Sequence, residues 1–157
     1  PYKERLFTGD HNYSPPERSY NWTISDSAKQ KYQTDCYLLG SLIQHNPPGG
    51  RMNALLYKYL PESYLPGHYQ GDLSQIRTYL SNAFASALEE IKMSIPKIRL
   101  RERLLQTIEY LCSPFPEFRG HPKNLSVSHG NPYSLERFIA NLDLMRHEAE
   151  ILVFEKK

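Results

Sequence analysis

An all-α fold is predicted by three features of the chain. The first is an apolar run, Cys36-Tyr37-Leu38-Leu39-Gly40-Ser41-Leu42-Ile43, that carries no charge. The second is a capped amphipathic pattern from Asp72 to Ile91, and the third is the Pro, Gly and Asn chemistry that separates the periodic segments.

Periodicity alone leaves the run at 35–45 open between a central strand and a buried helix. Gly40 and Ser41 decide it, because neither gives a strand a side chain to pack. Asp35 precedes the run where a helix N-cap stands, its carboxylate placed for the orphan N–H groups of a first turn. The reading is a helix over 35–45 buried on all sides, at the centre of a helical core spanning 35–157. Asn46-Pro47-Pro48-Gly49-Gly50 ends it.

The remaining elements follow in order. Residues 1–34 read as loop, with Pro15-Pro16 excluding a strand interior and a helical turn able to start at Pro16. Met52, Leu55, Leu56, Tyr59 and Leu60 recur at helical spacing until Pro61. Asp72-Leu-Ser-Gln75 has the form of a capping box, a short acceptor followed three residues later by Gln. Leu73, Ile76, Leu80, Ala83, Phe84, Ala87, Leu88 and Ile91 then share one face. Pro96 is expected to start a further helix with Leu100, Leu104, Leu105, Ile108, Leu111 and Cys112 inward, ended by Pro114 and Pro116. After a loop at 113–132, Ser134 caps a last helix with Phe138, Ile139, Leu142, Met145, Ala149 and Leu152 inward. At about 20 residues it runs roughly 30 Å. The expected total is four to six helices with long loops, in one domain over 1–157.

Composition limits function. With 157 residues the chain suffices for one domain and is short for two. Nineteen basic and 17 acidic side chains nearly cancel, at a formal +2, so charge gives no argument for nucleic acid or an anionic membrane as partner. No apolar stretch approaches the roughly 20 residues of a membrane-spanning helix. Cys36 and Cys112 fall inside apolar patterns and read as buried thiols of a reducing, cytoplasmic compartment. The six histidines include no i,i+4 pair and no Cys-x-x-Cys accompanies them, so no metal site is expected. The basic run Lys97, Arg99, Arg101, Arg103 reads as a solvated helix face, with a docking patch for an acidic segment as the alternative. Tyr57, Tyr59, Tyr64 and Tyr69 read as rings packed over the core with wet hydroxyls, the alternative being the lining of a peptide groove.

Three motifs resemble those of a protein kinase. Asp35-x-Tyr37-x-Leu39-Gly40-x-x-Ile43 resembles the helix at the centre of the C-terminal lobe, usually Asp-x-Trp-Ser-Leu-Gly-x-x-Leu. Gly9-Asp10-His11-Asn12-Tyr13-Ser14-Pro15-Pro16-Glu17 is similar to the end of an activation segment, Gly-Thr-x-x-Tyr-x-Ala-Pro-Glu, with Gly9, Tyr13, Pro16 and Glu17 in register. Pro116-Glu117-Phe118-Arg119, after an apolar helical segment, resembles the Asp-Pro-x-x-Arg element, with Phe115 in place of the Asp. The three occur in the family's order, from Gly9 to Arg119.

The resemblance to the C-terminal lobe of a eukaryotic-like, bacterial-type Ser/Thr kinase implies specific roles. Glu17 and Arg119 would form an ion pair, a planar guanidinium clamping a carboxylate with two parallel hydrogen bonds. Asp35 would hold the backbone of the catalytic loop, and Gly40 is the glycine of the central helix. Gly9, Asp10, Tyr13 and Pro16 would form the loop facing the substrate, with Asp10 where the family carries Thr. The stretches between Glu17 and Asp35 and between Ile43 and Arg119 are longer than is usual. No Gly-x-Gly-x-x-Gly, His-Arg-Asp or Asp-Phe-Gly occurs in these residues, so no catalytic residue and no cofactor site is expected in this chain. ATP and Mg would enter with an upstream kinase half, the chain starting inside a loop and reading as a fragment. The expected partner is a protein, as substrate or otherwise. The alternative is a non-catalytic, pseudokinase-like interaction module.

Overall fold

The computed structural model describes residues 13–20, 26–45, 51–96, 100–127 and 129–154, without the side chains of Ser27, His45 and Phe154. These residues are all-helical, with no strand among them. Seven α-helices occur among the described residues: α1 (Pro16–Ser19), α2 (Ser27–His45), α3 (Met52–Lys58), α4 (Arg77–Ser94), α5 (Arg101–Cys112), α6 (Pro122–Leu125) and α7 (Glu136–Phe154). The count exceeds the expected four to six because α1 and α6 are single turns. Each starts on a proline, whose fixed φ suits a first turn and whose missing N–H costs nothing there.

The central helix is longer than the apolar run and starts earlier. Asp26 Oδ1 accepts the backbone N–H groups of Ala28 (3.1 Å) and Lys29 (3.0 Å), so the start of α2 is held by Asp26 and not by Asp35. Asp35 stands in mid-helix and is exposed. Nor is α2 buried on all sides. Gln33, Tyr37, Gly40, Ser41 and Gln44 face inward, whereas Ala28, Lys31, Asp35 and Leu42 lie on an exposed stripe, with Leu38 half-buried between them. That division follows the 3.6-residue period.

Three apolar clusters form the core, the first and third of them against the buried side of α2. Tyr37, Met52, Leu55, Ala87, Ile91, Ile108 and Cys112 join α2, α3, α4 and α5. Leu56, Leu60, Leu73, Ile76, Leu80, Ala83 and Phe115 fill the space beneath the tyrosine-rich connection. Cys36, Leu111, Tyr133 and Phe138 carry α7 onto the other side. The close passage of α2 over α5 depends on Gly40. A Cβ there would meet Leu111 Cβ at 2.7 Å and also Cys112 Sγ.

Other boundaries depart from the expected ones. Asp72 Oδ1 accepts the Ser74 N–H at 2.7 Å. Gln75, however, receives the Tyr69 hydroxyl at its Oε1 (3.0 Å) and does not complete a capping box. The turn it opens is a 3-10 helix, Leu73–Ile76, that leads into α4. Pro96 does not start α5, which begins at Arg101 behind a buried Leu100. On α7, Phe138 and Met145 are buried, but Ile139 is exposed, one residue around from the stripe. Tyr59 likewise lies beyond the end of α3 and is exposed.

Candidate functional site

Glu17 and Arg119, 102 residues apart, meet in the interior. Arg119 Nη1 donates to Glu17 Oε1 and Nη2 to Glu17 Oε2, each at 2.7 Å, and both side chains are fully buried. A guanidinium has five N–H donors and must place each of them when water is excluded. Here Nε donates to the Ser113 carbonyl at 2.8 Å, Nη1 also reaches the Gln33 carbonyl at 3.3 Å, and Nη2 reaches that of Pro114 at 3.5 Å. The fork is thus satisfied by one carboxylate and three carbonyls, two from the loop after α5 and one from α2. The guanidinium carbon also lies 4.8 Å from the centre of the Tyr37 ring, on the electron-rich face that attracts a cation.

Local sequence explains how the partners reach this point. Pro15-Pro16 holds an extended entry into α1, so that Glu17 enters the interior from the first turn. Ser113-Pro114-Phe115-Pro116 ends α5 and turns Arg119 back under α2. Gly120 follows with φ +116°, a left-handed conformation that L side chains rarely adopt. A Cβ there would stand 3.0 Å from the Pro132 carbonyl oxygen, and the Gly120 N–H donates to the Tyr110 carbonyl at 2.9 Å.

A hydrogen-bonded chain extends the site toward the N-terminal segment. The Tyr37 hydroxyl donates to Asn53 Oδ1 (2.5 Å), and Asn53 Nδ2 donates to the Ser14 carbonyl (2.6 Å). Burial of Tyr37 pushes its hydroxyl well above the ordinary value, so it remains a donor. On the other side Gln33 Nε2 donates to the Tyr133 hydroxyl at 3.0 Å. Neither Asn53 nor Gln33 belongs to a motif read in the sequence. A short polar residue on an apolar helical face is the only signal Asn53 offers.

Of the sequence-predicted residues, Glu17, Arg119 and Pro16 come together in this buried site, with Gly40 two turns along α2 from Gln33. Tyr13 lies nearby and half-buried, with the Arg51 guanidinium 5.3 Å from its ring centre. Asp35 is elsewhere, on the exposed stripe of α2. Gly9 and Asp10 lie outside the described residues. Burial pushes the thiol of Cys36 up to about 11 and that of Cys112 up to about 12, so both stay protonated and unreactive at neutral pH. Arg103, from the basic run, is engaged with Glu148 (2.8 Å) and Asn141 (2.9 Å) of α7. No group of three or more His, Cys, Asp or Glu side chains suited to a metal ion occurs among the described residues, and no helix there is long and apolar enough to cross a membrane.

Chemically, the buried site holds a loop in place, its two charges paired with one another and closed to solvent. No protein-family model matches the chain, nor does any curated protein or solved structure.

Proposed function

We propose that the chain is the substrate-side lobe of a Ser/Thr protein kinase, acting with an ATP-binding half that supplies the catalytic residues and Mg-ATP. The observation that carries this reading is the Glu17–Arg119 pair. It fastens a Pro-Pro-Glu turn beneath the central helix by an arginine from the loop after α5, which is the linkage the motif resemblance implies. The exposed stripe of α2 is a second support. Asp35 and Leu42, with Leu42 59% exposed, lie on the side of the helix away from the core. In this reading that face receives the upstream half, and Asp35 holds the backbone of its catalytic loop. The segment containing Gly9, Asp10, Tyr13 and Pro16 shapes the site that takes the protein hydroxyl, and the clamp fixes its end. The reaction is transfer of the γ-phosphoryl of ATP to a serine or threonine hydroxyl.

The second reading is a non-catalytic module working by protein contact. It is favoured by Asp10, which stands where the family carries Thr. One experiment separates the two. The complete reading frame is expressed, incubated with Mg-ATP and a mixture of Ser- and Thr-containing proteins, and assayed for phosphate incorporation. Incorporation that Asp35→Ala abolishes, without loss of thermal stability, is the outcome expected of the kinase. Absence of incorporation from a complete reading frame contradicts it and leaves the module.

A further inference from the structure

We draw no further inference here: the strongest candidate, the apolar patch that Leu144 and Ile151 form on one exposed side of α7, is an unpartnered helix face, and nothing in the structure shows what covers it.

Discussion

Asn53 shows how much one side chain connects in this structure. Its carbonyl oxygen receives the Tyr37 hydroxyl and its amide reaches the Ser14 carbonyl, so three segments meet at a residue only 4% exposed. Asn53→Ala removes both bonds and is expected to cost about 2–4 kcal/mol in urea unfolding, because buried polar groups lose partners that water cannot replace. Tyr37→Phe removes one of them and should cost less. Gly40 makes a different prediction. Its Cβ would press on Leu111 and Cys112 at the α2–α5 contact, so Gly40→Ala should lower stability by about 1–3 kcal/mol through overpacking. A gain in stability, as for a glycine in an open helix, would show that α2 and α5 do not approach so closely. The sequence could point to Gly40, since a glycine in an apolar helix invites a packing reason. It could not point to Asn53, whose partners come from distant segments.

Among the elements, the longer helices are readable and their boundaries are not, and the single turn of α6 falls inside the stretch 113–132 that reads as loop. The apolar run marked the buried part of α2, but the helix gains its first two turns from Ala28–Thr34, which look like loop because their outer face is solvated. A polar first turn is equally helical when one side is wet, and Asp26 is the residue that starts it. On α7, Phe138, Leu142 and Met145 were correctly read as one stripe. Ile139 was drawn in by its hydrophobicity alone, though it lies 100° around the helix and is 59% exposed. At α6 the cap is itself titratable. His121 Nδ1 accepts the Lys123 N–H at 3.2 Å, and the ring packs edge-on against Tyr110 and Phe138. Burial first, then the charges of Arg137 and Lys123, hold the imidazole below its ordinary value of 6.5. The unfolded chain therefore binds the proton more readily. The contribution is complete above about pH 6.5 and is lost as pH falls below it. A plot of melting temperature against pH should drop over that range, and His121→Asn, which keeps a capping acceptor without a titrating ring, should flatten that part of the drop. Identical profiles for the two proteins would remove His121 from the account.

Over the whole molecule, the sequence made the fold class legible through period and breakers, and it made the two ends of the clamp legible through motifs. The environment of the clamp was beyond it. Three carbonyl acceptors and an aromatic face come from segments that only the folded chain assembles. The exposed stripe of α2 was missed for the converse reason, an apolar run giving no sign of which of its sides stays uncovered. Because the clamp spans 102 residues, it makes the N-terminal segment cooperate with α2 and the loop after α5. A lone charge left in that interior is costly, so Glu17→Ala and Arg119→Ala should each destabilise by about 3–5 kcal/mol. The most direct measurement is the double-mutant cycle of these two residues by equilibrium unfolding. The double variant should cost clearly less than the sum of the singles, by about 2 kcal/mol or more, since removing both charges leaves neither one buried alone. Additive single effects below about 0.5 kcal/mol would contradict the clamp, because that is the behaviour of surface positions.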